Sequence, residues 1–144
     1  MKIKRATEND SRTLSEIFSI LYKPELRWSE DKIRENIIWG NTEYFLIIND
    51  EEFLGGLSLR LNKNECELEA IAIKPRFQRS GVGSQLLEFA ENLAKEKECR
   101  KIWCYSLESY NIGKFYQKHG WQQEVFIPKF FDNQNCFKYS KKLK

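Results

Sequence analysis

Histidine occurs once in this chain, and none of its four cysteines, Cys66, Cys99, Cys104 and Cys136, stands at CxxC spacing from another. An ordinary zinc set is therefore short of ligands, so no metal is expected. Reduced, buried thiols in a cytoplasmic protein are the simplest expectation. No apolar run approaches membrane-spanning length, and the charged start, Met1 to Glu8, has no apolar stretch behind it. Neither a bilayer span nor a secretory signal is expected. Repeats and low-complexity segments are missing too. A net charge of +3 neither demands nor excludes an anionic partner. The basic tail, Lys138, Lys141, Lys142 and Lys144, has no aromatic platform or reading motif beside it, so it reads as a solvated end and no nucleic-acid partner is expected.

What is present suits an ordinary folded domain. Hydrophobic residues make up 41% of the chain and charged residues 31%, which argues against disorder. Ten Phe, six Tyr and four Trp supply the bulk of a core. A length of 144 residues predicts a single domain, 1–144, with one continuous core.

The periodicity alternates between strand and helix. Ile3 to Ala6 reads as a strand, followed by a helix capped by Asn9 or Asp10 with Leu14, Ile17, Phe18 and Leu21 on one face. After a loop through Pro24, Ser29 caps a second helix, Trp28 stapling against Ile33 and Gly40 stopping it. Tyr44 to Ile48 and Phe53 to Leu61 form a hairpin around Asn49, Asp50 and Glu51. From Glu65 to Ile73 the apolar residues fall at even positions and then shift to odd ones. Either both faces become buried there or a bulge lies near Ala70, and the bulge is favoured. Ser84 to Lys97 is an amphipathic helix, with Glu91 and Lys95 as an outward i,i+4 pair. Lys101 to Tyr105 is the next strand, which makes a parallel strand, helix, strand unit. Asn111 to His119 is a shorter helix stopped by Gly120, and two closing strands cover Gln122 to Phe131 and Cys136 to Ser140.

The most informative stretch is Gln78 Arg79 Ser80 Gly81 Val82 Gly83 Ser84, between the strand ending at Ile73 and the long helix. Glycines let a backbone curl around an anion, and the first amides of a helix lack intrahelical acceptors, so this is a phosphate-holding turn. The three spaced glycines of the dinucleotide fingerprint are missing, and so is the Gly-Lys-Ser/Thr of a Walker loop.

Together with Ile71 Ala72 Ile73 Lys74 Pro75 before it and Phe115 Tyr116 Gln117 Lys118 His119 Gly120 Trp121 downstream, this turn resembles the GNAT superfamily of acyl-CoA-dependent N-acyltransferases. The resemblance covers nearly the whole length. It implies an α/β fold with a central mixed twisted sheet of about seven strands and about four helices, splayed between the fourth strand, from Glu65, and the fifth, from Lys101. It also implies acetyl-CoA as cosubstrate, with Gln78, Arg79, Ser80, Gly81, Val82, Gly83 and Ser84 at the pyrophosphate. Arg79 and Arg76 would add positive charge there, and the backbone of Ile71, Ala72 and Ile73 would meet the acetyl carbonyl and pantetheine arm. Tyr116 becomes the acid that protonates the departing thiolate, since a phenol with reference pKa about 10 stays protonated at neutral pH. Glu67 is the first candidate for the base that takes the ammonium proton; Glu69 and water remain alternatives. The plainer reading makes Glu65, Glu67 and Glu69 the solvent face of a strand.

One position departs from the family. Ser109 stands seven residues before the tyrosine, where many members have Asn, so cofactor contact falls to Ser109 or to Asn111, which could equally cap its helix. Trp121 replaces the commoner Phe and reads as packing. A double-displacement route through Cys104 with His119 as base is a further alternative, though a strand cysteine among Ile102, Trp103 and Tyr105 suits a core better. The predicted activity is acetyl transfer to a primary amine of a small molecule or peptide by direct attack in a ternary complex. A non-catalytic acyl-CoA sensor on the same fold is the alternative. The acceptor would be chosen by Pro24 to Trp28 and Phe126 to Asn133. Family members often dimerise, so a homodimer stays open.

Overall fold

A computed structural model describes residues 1–21, 28–40 and 42–144. Among the described residues there are seven strands, β1 (Lys2–Arg5), β2 (Thr42–Asn49), β3 (Glu52–Asn62), β4 (Glu65–Ile73), β5 (Lys101–Leu107), β6 (Gln122–Phe131) and β7 (Gln134–Lys142). The same residues hold four α-helices, α1 (Ser11–Phe18), α2 (Glu30–Trp39), α3 (Val82–Glu96) and α4 (Gly113–Lys118). The strands hydrogen-bond in the order β1-β2-β3-β4-β5-β7-β6, a mixed sheet in which β4 and β5 run parallel. That parallel ladder joins Glu65, Cys66 and Glu67 to Lys101, Ile102 and Trp103 at the amino-terminal ends of both strands, as the expected splay requires.

Backbone contacts group the chain into two compact units, one of residues 1–60 and 69–90, the other of 61–68 and 91–144. In the first, the apolar stripe of α1 buries Leu14, Ile17 and Phe18 against Trp28, Ile33, Tyr44 and Leu46. Phe18 lies 5.1 Å from Trp28 and 6.2 Å from Tyr44, centroid to centroid. Ser29 caps α2 as expected, its hydroxyl accepting from Lys32 N at 3.1 Å. Asp10 does not cap forward; its carboxylate reaches back to Thr7 N at 2.8 Å. The β2–β3 turn is a two-residue one, Asp50 and Glu51 both at positive φ, the hand that matches strand twist. Of the acceptor-wall loop expected around Pro24, residues 22–27 lie outside the described residues.

Burial shows no slip at Ala70, where a bulge is expected. Exposure alternates without a break along β4, with Cys66, Leu68, Ala70 and Ala72 buried and Glu65, Glu67, Glu69, Ile71 and Ile73 half-buried between them. The pattern fits the other alternative, with one face buried and the other half-buried along the whole strand. The irregular point lies in β3, where Ile47 faces Gly55 but Ile48 faces Phe53, so that Leu54 is the extra residue.

In the second unit, α4 buries Tyr116, and Ile102, Cys104, Trp121 and Tyr139 share the interior. Strand β6 is an exposed edge whose pairing with β7 shifts between Ile127 and Phe131. Among the described residues no helix is long and apolar enough to cross a membrane.

Candidate active site

Beyond Ile73 the chain leaves β4 through a single 3₁₀ turn, Pro75–Phe77, fastened by Lys74 N donating to Leu54 O at 2.9 Å. Gln78 turns back, its amide Nε2 donating to Ile73 O at 3.0 Å, while Ser80 Oγ donates to Phe77 O. Two residues then take left-handed backbone, Arg79 at φ 64° and Gly81 at φ 88°. No atom lies within 4 Å of where a Gly81 side chain would begin, so glycine is needed there for its conformation and not for space. Helix α3 starts at Val82, two residues before the expected Ser84, and Gln85 N is bonded to Gly81 O at 3.1 Å. The amides of Val82 and Gly83 therefore come before Gln85 N, the amide bonded to Gly81 O, at the positive end of a fifteen-residue helix. Gln78 through Gly81 are exposed, and Ser84 is half-buried. Such a backbone fits a phosphate group, since its donors are main-chain amides and its curvature is glycine-dependent. Arg79 lies in the turn, and Arg76 before it is ion-paired to Glu52 and lies 4.8 Å over the Phe77 ring.

In the second unit, Tyr116 is 2% exposed and enclosed by rings, with Tyr139 stacked at 5.2 Å, Trp121 at 5.1 Å and Phe115 at 5.3 Å. Its hydroxyl and the Cys104 thiol share a hydrogen bond. Burial, and next the neighbouring thiol, push the phenol well above its usual range, so the proton is retained. Cys104 is pushed up to about 12, chiefly by burial. A thiol so held carries little thiolate at neutral pH, which argues against the double-displacement route through Cys104. His119 stacks edge-on to Phe115 at 5.4 Å, and its carbonyl accepts from Lys141.

The three glutamates of β4 separate by environment. Glu67 is half-buried and registered opposite Trp103. Glu69 is nearly buried and saturated by Arg60 at 2.8 Å and the hydroxyls of Thr42 and Ser58, each at 3.2 Å. Those three donors engage the carboxylate and fix its orientation. Glu67, Glu69 and water are the base candidates, and the simple solvent-face reading does not describe Glu69.

Asn111 does not cap α4. It closes a 3₁₀ turn, Glu108–Tyr110, in left-handed conformation at φ 53°, donating from its backbone N to Glu108 O at 3.0 Å, and Ile112 takes the cap position. Asparagine tolerates that conformation better than most residues. Asn111 instead borders a cavity of about 300 Å³ with Ser106, Gly113, Lys114, Gln117 and Tyr139. Ser109 is tied to Gln134 at 3.1 Å. Among the described residues no three His, Cys, Asp or Glu side chains cluster as metal ligands would.

Two residues that sequence reasoning set aside are built into this unit. Glu91, expected to face outward beside Lys95, is 6% exposed, and its carboxylate accepts from Trp121 Nε1 at 3.0 Å and Lys141 Nζ at 2.7 Å. Lys141 thus belongs to the interior network and not to a solvated tail. The signal was present: Leu87, Glu91 and Ala94 follow i, i+4, i+7 on the buried face of α3.

Residues 12–121 match the family model described as Acetyltransferase (GNAT) family. The chain belongs to the GNAT acetyltransferase family. An uncharacterized N-acetyltransferase encoded in the pepI 3' region of Lactobacillus delbrueckii subsp. lactis is 29% identical over 111 residues, 69% of this chain and 64% of that protein. The spermidine N(1)-acetyltransferase of Thermoplasma acidophilum is 24% identical, the match covering 68% of this chain and 64% of its own length. The chain thus spans a little under two thirds of the length of these curated relatives. In fold it is similar to the PaiA N-acetyltransferase of Thermoplasma acidophilum in complex with coenzyme A, with a TM-score of 0.79, 22% identity and 98% of each chain covered.

Proposed function

We propose that this chain is a single catalytic domain that moves the acetyl group of acetyl-CoA to a primary amine by direct attack within a ternary complex, in the cytoplasm. Acetyl-CoA supplies the activated acyl group. The amides at Val82 and Gly83, with Gln78 to Ser84 around them, hold its pyrophosphate, and the backbone of Ile71 to Ile73 meets the acetyl carbonyl and pantetheine arm. Asn111 serves the cofactor from the cavity it borders. Tyr116 delivers a proton to the leaving sulfur, while Glu67 or water takes one from the ammonium.

The observation that carries this reading is the state of Tyr116. It occupies the tyrosine position of the family block and is protonated at neutral pH, so its hydroxyl has a hydrogen to offer the departing thiolate; burial makes the phenol a weaker acid, so its use as a donor rests on position and not on its pKa. The acceptor class is an amine-bearing small molecule or peptide, and the spermidine-acetylating relative makes polyamines the first compounds to try. The test is thiol release from acetyl-CoA across a panel of polyamines, amino acids and peptides, paired with calorimetry. Release with at least one amine, lost in Tyr116→Phe, supports the enzyme. Binding of CoA with no release on any amine supports the acyl-CoA sensor, and absence of CoA binding overturns both.

A further inference from the structure

Trp121 stands where the family block more often has phenylalanine, and the change adds one thing that phenylalanine lacks, an indole N–H. The residue is 2% exposed, so that donor must find an acceptor inside the protein. It finds Glu91 on α3, Nε1 to Oε2 at 3.0 Å. The other carboxylate oxygen takes Lys141 Nζ at 2.7 Å, and the same ammonium donates to His119 O at 2.8 Å. One carboxylate therefore ties both sides of the connection that leaves α4, the carbonyl before Gly120 and the side chain after it. Gly120 itself is left-handed at φ 86°, and Trp121 N donates to Tyr116 O at 3.0 Å.

We infer that Glu91 is a positioning residue for Tyr116, acting through the indole N–H of Trp121. The inference rests on the reading of Tyr116 as the acid. With only six residues, α4 makes too few internal hydrogen bonds to fix its own place, so its orientation comes from outside. The Trp121 ring lies 5.1 Å from the Tyr116 ring at 44°, so rotation of the indole about its side-chain bonds carries the phenol with it. Glu91 does not act on the phenol's charge; it fixes the surface against which the ring lies.

The test uses the full chain and five proteins: native, Trp121→Phe, Tyr116→Phe, the double variant of these two, and Glu91→Gln. Trp121→Phe keeps an aromatic ring and removes the N–H. It should lower kcat about fivefold with KM for acetyl-CoA unchanged, the size expected for one lost hydrogen bond felt at the reacting group. In the Tyr116→Phe background the same change should cost nothing, because its effect passes through the phenol. Glu91→Gln, which keeps an acceptor oxygen for the indole, should cost about twofold. Ring-selective carbon-13 labelling of tyrosine gives a readout that needs no acceptor: Tyr116 ring flips should be slow in the native protein and faster in Trp121→Phe. Equal losses in both backgrounds, or a lower melting temperature with neither kcat nor ring flipping altered, would make the network purely structural and overturn the inference. If Tyr116→Phe alone leaves kcat unchanged, the acid assignment falls and this inference falls with it.

Discussion

Replacing Tyr116 by phenylalanine removes a single oxygen from the centre of the second unit and should be felt in two independent measurements. The ring contacts with Tyr139, Trp121 and Phe115 survive, so at pH 7 the variant should stay folded, with a stability change within about 1 kcal/mol for one neutral hydrogen bond to a thiol. Turnover should fall by about a hundredfold or more, the usual worth of a positioned acid, with CoA affinity preserved. The second effect appears at high pH. Burial raises the folded phenol well above 10, while the unfolded chain ionises near 10. Its contribution to stability is thus fully present below pH 10 and is lost above it, because the unfolded state sheds a proton that the folded state keeps. The loss amounts to about 1.4 kcal/mol per pH unit until the folded pKa is reached. Phenylalanine has no such proton, so urea unfolding between pH 10 and 11.5 should show a slope shallower by one proton in Tyr116→Phe. Tyr44 and Tyr139, also raised by burial, contribute to the same slope in both proteins and cancel in the comparison. Identical slopes would mean that the phenol is ionised or solvated in the folded state, and the account of Tyr116 as a retained donor would be wrong.

Cys104, with its thiol pushed up to about 12, should resist iodoacetamide at pH 8 in the folded protein and react once the chain is unfolded in urea, as read by mass spectrometry of the labelled peptide. Glu124 is lowered to about 2 by Lys101, at 2.5 Å, and by the Ser140 hydroxyl, at 2.6 Å. Its contribution is present above pH 4.5 and lost as pH falls toward 2; the residue is largely exposed, so screening reduces that to about 1 kcal/mol, measurable as a shallower acid limb in Glu124→Gln. Gly81→Ala should cost about 1–2 kcal/mol of stability through its left-handed backbone alone and weaken CoA binding in calorimetry. Gly55→Ala should cost more, about 3 kcal/mol in thermal or urea melts, because the new carbon would lie 2.6 Å from the Ala72 carbonyl oxygen and 2.8 Å from Ile73 Cδ1.

Much of the architecture is legible in the chain itself, because its determinants are local. The Ser29 cap, the Gly40 stop, the 3.6-residue stripe of α1 and the glycine turn before α3 each act within a few residues, and all lie where spacing predicts. The two motif blocks likewise carry family membership without tertiary knowledge. Strand β4 shows the limit of the approach: the switch from Leu68 and Ala70 to Ile71 and Ile73 looks like a slipped register, yet the exposure pattern never slips. Periodicity records which residues are apolar, and it cannot tell a shifted strand from one whose second face is covered by apolar neighbours such as Gly55.

The sequence alone determined the fold family, the glycine turn before α3 and the tyrosine worth testing, since these depend on composition and short spacings. Only the tertiary structure decided what each ionisable group near them can do. Glu69 is saturated by Arg60, Thr42 and Ser58, Cys104 is closed off by burial, and Glu91 turns inward to an indole thirty residues further along the chain. Proton affinity and hydrogen-bond partnership are set by which distant residues close around a group, and no local pattern in a linear chain encodes that.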